Sequence, residues 1–109
     1  MCIAAPAFSS ERVTPGRYYY GAEVESISPC NSKRAYWVSG EESVLKLLRD
    51  RADRLRNAER PYPPIYVEFV GRVNYEAKRE GFAADYDALF EVSKVLKASN
   101  VVPRHCAHG

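Results

Sequence analysis

A chain of 109 residues has room for one domain and one core, with no spare length for a second. A hydrophobic fraction of 46% beside 28% charged residues argues against disorder. The formal charge of +2 is too small for a dedicated nucleic-acid binder and leaves only a local patch in play. Tyrosines, eight of them against four Phe and one Trp, suit half-buried strand faces, where a ring packs and its hydroxyl reaches water. No apolar run approaches the ~18–20 residues of a membrane helix.

The first nine residues, Met1 to Ser9, are small and apolar, and Ala5-Pro6-Ala7 fits the small-x-small rule of signal cleavage. Three readings stand: the remainder of a signal peptide, a lipoprotein whose first mature residue is a lipidated Cys2, or a disordered cytosolic tail. Residues 1–14 are expected to add little to the core, leaving 15–109 as the domain. Tyr18 to Ile27 reads as one strand, with Tyr18, Tyr20, Ala22, Val24 and Ser26 on one face and Tyr19, Glu23 and Glu25 in or near the other. Pro29-Cys30-Asn31-Ser32 is turn chemistry, and Ala35-Tyr36-Trp37-Val38 is a short second strand.

Ser39-Gly40-Glu41-Glu42 matches a capping box, with Ser39 as the cap and Glu42 reaching back. Val44, Leu45, Leu48, Ala52 and Leu55 then recur at helical spacing, predicting an amphipathic helix to about Ala58. Its charges at Glu42/Lys46, Arg49/Asp53 and Asp50/Arg54 sit four apart, the pattern of a solvated, ion-paired face. Pro61, Pro63 and Pro64 force an extended approach to Ile65–Val73, a β-branched and aromatic strand. Glu80-Gly81 marks a turn, and Leu89 to Lys97 reads as the last strand. These elements suit a small, curved antiparallel sheet closed into a barrel with the helix plugging one end; an open α+β sheet is the competing architecture.

The run Gly21-Ala22-Glu23-Val24-Glu25-Ser26-Ile27-Ser28-Pro29-Cys30-Asn31-Ser32, followed by Ala35-Tyr36-Trp37-Val38, resembles the C-terminal domain of NlpE-type bacterial envelope lipoproteins. Pro64 to Gly71 resembles that family's next strand, and Glu80 to Asp87 its glycine turn and final hairpin. The resemblance spans about Tyr18 to Leu96. It implies a mainly β, five-stranded OB-like barrel capped by one amphipathic helix, a periplasmic or outer-membrane setting, and sensing or adhesion by protein or surface contact, with no catalysis. Better-known members carry a further domain with a Cys-x-x-Cys pair; that motif is missing here, so a copper role does not carry over.

In an oxidising compartment Cys30 and Cys106 are the pair that falls within the folded region, and the resemblance implies the same bond. The rival use of those sulfurs is a metal set of Cys30, His105, Cys106 and His108. It is weakened by its spacing, because histidines three apart suit a helix and this tail follows Pro103. No cofactor is expected. Neither histidine lies where a nucleophile would need a base, and Asp85 and Asp87 read as surface carboxylates.

For binding, Tyr18, Tyr20, Tyr36 and Trp37 are the candidate surface: they either form a stacking platform or pack into core and wall. The partner is expected to be a protein or surface, with membrane contact only through a lipid anchor. The alternative is an OB-type module for nucleic acid, oligosaccharide or another small ligand, the nucleic-acid case requiring a basic, aromatic face.

Overall fold

The computed structural model describes residues 8–107, with the backbone alone at Phe82. Five strands, β1 (Arg12–Gly21), β2 (Val24–Pro29), β3 (Tyr36–Gly40), β4 (Ile65–Asn74) and β5 (Ala88–Ser99), close into a barrel in the order β1-β2-β3-β5-β4. Neighbours are antiparallel except β3 and β5, which run parallel. One helix, α1 (Glu42–Leu55), links β3 to β4 and closes the barrel. This is an OB-like architecture.

The stretch expected as one strand from Tyr18 to Ile27 is a hairpin. Gly21 pairs with Val24, and Ala22-Glu23 is the two-residue connection, with Glu23 at φ +65°. Two-residue hairpin loops need such left-handed backbone. Glycine and asparagine adopt it most readily, and neither stands at position 23 to advertise the turn. The turn restarts the alternation. Tyr18 and Ile27 face each other across the hairpin and are fully buried, and Ala22 is exposed.

β1 also starts earlier than expected. Arg12–Thr14 pair with Phe69–Gly71 of β4, and Ser9 exchanges hydrogen bonds with Val73: its N–H donates to the Val73 carbonyl (2.9 Å), and its Oγ accepts from the Val73 N–H (2.7 Å). Residues 9–14 thus extend the barrel wall rather than a remnant. The expectations for Cys2 and for cleavage at Ala5-Pro6-Ala7 lie outside the described residues.

The helix inserts Leu45, Leu48 and Ala52 among Tyr18, Ile27, Val38, Ile65, Val67, Phe69 and Phe90, following the apolar spacing of its sequence. Its ends differ from expectation. Ser39 is held in the parallel ladder opposite Glu91, so Glu41 takes the N-cap position and no side chain caps it. The helix stops at Leu55 because Asn57 offers its side-chain oxygen to the N–H groups of Glu59 and Arg60 (2.9 Å each), a turn that competes with helix continuation. Instead of the three expected pairs four residues apart, Lys46 pairs with Asp50 (3.2 Å), Asp53 pairs with Arg56, and Arg49 leaves the helix surface for the barrel.

The expected hairpin near Phe82 is a 3-10 turn, Gly81–Asp85, within the β4–β5 connection. Asp87 fastens this connection to the segment before β3: its Oδ2 accepts from the Ala35 N–H (2.9 Å), and its own N–H donates to the Ala35 carbonyl (3.0 Å). The ladder of β4 with β5 slips twice, at Glu68/Phe69 and at Val70/Gly71, where Leu96 and Ser93 are the extra residues on β5. Gly71 is required there, because a Cβ would meet the Glu91 carbonyl oxygen and lie 2.6 Å from the Phe90 ring.

The Cys30–Cys106 disulfide is formed, spanning 76 residues of sequence with a Cα–Cα distance of 4.4 Å. It joins the end of β2 to the short 3-10 turn Arg104–Cys106, and Cys106 is fully buried. The metal set imagined for these sulfurs is thereby excluded, since both are bonded to each other. His105 is exposed, edge-on to the Tyr66 ring at 6.4 Å, and His108 lies outside the described residues.

Candidate functional site

Barrels of this topology take ligands on the face of their second and third strands, flanked by the β1–β2 and β4–β5 connections. Here that face carries a cavity of about 640 Å³. β2 contributes Val24 and Glu25, β3 contributes Trp37, the end of β1 contributes Tyr20, α1 contributes Arg49, and the β4–β5 connection contributes Glu80. A second depression of about 370 Å³ continues past Val24 to Tyr19, Tyr62 and Tyr86. The Trp37 and Tyr86 rings meet edge to face, with centroids 5.3 Å apart and planes at 67°, so each ring fixes the other on the boundary between the two hollows.

One wall of the larger cavity is a closed polar network. Glu25 sits opposite Tyr20 in the hairpin and is only 8% exposed. The Tyr18 hydroxyl donates to Glu25 Oε2 (2.6 Å), Arg49 Nε donates to the same oxygen (2.8 Å), and Arg49 Nη2 donates to Oε1 (2.7 Å). A bidentate guanidinium and a phenol together neutralise and hydrogen-bond a carboxylate that burial would otherwise penalise. Burial, and then the charge of Glu25, push the Tyr18 phenol far above its ordinary value. The hydrogen bonds to Glu25 in turn hold the Arg49 guanidinium more firmly protonated. Arg49 and Arg56 also lie over the Tyr20 ring, at 5.7 and 5.9 Å from its centroid.

Of the four aromatic residues singled out in the sequence, the structure brings two to this face and removes two. Trp37 is half-buried in the cavity lining, and Tyr20 lines its edge. Tyr18 is fully buried and Tyr36 is 7% exposed, packed near Phe90 with centroids 6.4 Å apart. Strand alternation explains the split in β3: Tyr36 and Val38 turn inward, so Trp37 turns outward. Sequence reading missed Glu25, Arg49, Glu80 and Tyr86. Unbroken strand alternation sets Glu25 on the face away from Tyr18, because no residue of Ala22-Glu23 announces the turn, and Arg49 has a local partner in Asp53 at helical spacing.

The face can stack planar or apolar ligand surfaces on Trp37 and offer hydrogen bonds at its rim. It is not basic. Arg49 is committed to Glu25, and the other charged residues lining the cavity, Glu23 and Glu80, form no ion pair among the described residues. Among the described residues no group of three or more His, Cys, Asp or Glu side chains is arranged to hold a metal ion, and no helix is long and apolar enough to cross a membrane. No protein-family model matches the chain, and neither a curated protein nor a solved structure matches it.

Proposed function

We propose that this chain is a non-catalytic, extracytoplasmic binding module that takes a neutral oligosaccharide on the face of β2 and β3, and that in an NlpE-like envelope setting this contact serves adhesion or surface sensing. The observation that carries the reading is the composition of the cavity: a half-buried Trp37 braced by Tyr86, with acidic rather than basic residues free at the rim. An aromatic ring offers its face to the apolar side of a sugar, while carboxylates accept hydrogen bonds from its hydroxyls. The same carboxylates repel a phosphate backbone, whose binding depends on cations that release counterions. The disulfide supports an oxidising compartment, and the resemblance of residues 21–38 supports an envelope setting.

Trp37 is the only tryptophan in the chain, so its emission reports on this face alone. Titration with chitotetraose and maltotetraose is expected to change that emission saturably, with little dependence on salt, and Trp37→Ala is expected to abolish binding measured by calorimetry. Binding of oligothymidylate that weakens steeply with salt would replace the sugar by nucleic acid. Indifference of Trp37 to every sugar would sink the proposal.

A further inference from the structure

The far side of the barrel holds a second surface with different chemistry. β5 runs from Ala88 to Ser99, but its parallel pairing with β3 ends at Val92. From there to Ser99 it pairs only with β4, with Ser93 and Leu96 left out of the register as bulges, and among the described residues its other edge has no strand partner. An unpaired strand edge presents a row of backbone donors and acceptors able to accept another strand. Beside this edge runs α1, and between them lies a groove of about 410 Å³ lined by Val44, Leu47, Leu48, Val95 and Ala98. Leu47 in the groove is 81% exposed, and Leu96 on the strand beside it is 47% exposed.

The charges select the occupant. Among the described residues Arg51 and Lys94 line the groove and no carboxylate does; Lys97, also exposed, lies further along the same strand. A second copy docking edge to edge would crowd these cations against their counterparts, the device by which edge lysines prevent self-association. An acidic chain meets the opposite field. We propose that the groove docks an extended peptide segment of another protein, alternating acidic and aliphatic residues, which adds as a strand to the Ser93–Ser99 edge and lays its aliphatic side chains against Val44, Leu47 and Leu48. Main-chain hydrogen bonds then supply affinity and the groove supplies selection, the logic of strand addition. This surface stands apart from the Trp37 face, and neither reading depends on the other.

The test uses a blocked, fluorescent peptide of about seven alternating Glu and Val residues, long enough to cover the free edge. Fluorescence anisotropy is expected to show saturable binding at or below about 1 mM, with Trp37→Ala binding normally. Leu47→Asp and Lys94→Glu, both at exposed positions and therefore expected to fold, should each weaken binding about tenfold or more. Methylating every peptide nitrogen should abolish binding, because it removes the strand donors on both edges while leaving side chains intact. Equal binding by the methylated peptide, or by one with Lys in place of Glu, overturns the proposal. So does Leu47-dependent capture of phosphatidylglycerol vesicles with no peptide binding, which would make the patch a membrane contact. Concentration-dependent dimerisation lost in Leu47→Asp would overturn it in favour of a second copy.

Discussion

The two ends of the β1–β2 hairpin are tied to distant parts of the chain by opposite kinds of chemistry. Near the Ala22-Glu23 turn, Glu25 reaches α1 through Arg49, with the Tyr18 hydroxyl completing the set. At the other end, where Gly16 faces Pro29, Cys30 is bonded to Cys106 and its N–H donates to the Pro15 carbonyl (3.0 Å). The covalent tie acts chiefly by restricting the unfolded chain and does not depend on salt or on the protonation of its neighbours. The polar tie acts in the native state, where three groups must keep their protonation and geometry, and the cost of desolvating its charges offsets much of their attraction. A small barrel uses the first to persist and the second to hold its helix in one place.

Breaking the covalent end should have the largest effect. Closing a span of 76 residues is worth about 4.5 kcal/mol in the chain-entropy account, so the Cys30→Ser/Cys106→Ser double variant should lose about that much in urea unfolding. An unchanged midpoint would show that the tail tie contributes nothing. Breaking the polar end should cost less. Glu25→Gln is expected to lose about 2–3 kcal/mol, below the range for a fully buried pair because the Arg49 side chain is 29% exposed. The double variant Glu25→Leu/Arg49→Leu should recover part of that loss, since it leaves no orphaned charge and only the Tyr18 hydroxyl without its acceptor. If instead the double variant is as unstable as the single one, the network stabilises the fold in its own right.

The smallest effect separates the phenol from the ion pair. Tyr18→Phe removes one donor and should cost about 1 kcal/mol at neutral pH. Its signature lies in alkali. The folded-state value of Tyr18 is raised above its ordinary value of about 10, so its stabilising effect is complete below pH 10 and is lost as the pH climbs, while the unfolded chain gives up the proton. Stability should therefore fall above about pH 10, less steeply in Tyr18→Phe. The remaining slope belongs in part to Tyr66, raised by its hydrogen bond to Glu68, and to Tyr36, raised by burial. Identical slopes in both proteins would mean that Tyr18 ionises freely.

Where a residue's role follows from periodicity, the sequence was readable. Leu45, Leu48 and Ala52 mark the buried side of α1, and Ile65 to Val73 is a strand in any context. The closed barrel with one plugging helix followed from those elements, and the bond between Cys30 and Cys106 from the cysteines together with the family resemblance. What was hidden depended on backbone conformation or on competition between partners. Glu23 accepts a left-handed φ that its side chain does not advertise, and the missed turn carried Glu25 to the wrong face. Ser39 fits a capping box, yet ladder pairing with Glu91 claims it first. Arg49 had a partner four residues away and took a better one across the fold. The candidate site was half legible for the same reason: Trp37 lies on a strand whose alternation is unbroken, whereas Tyr18 and Glu25 lie on either side of the unseen turn.

The disulfide also has a mechanical consequence. It turns Cys30 through Cys106 into a ring that contains β3, α1, β4 and β5. A pull applied between the N-terminal end of the described chain and its C-terminal end bypasses that ring and loads only Phe8 to Cys30. Peeling β1 and β2 away can then lengthen the molecule by at most about 3.4 Å for each residue before the bridge. Beyond that, the force runs through sulfur, and most of the barrel's sequence cannot be drawn out straight.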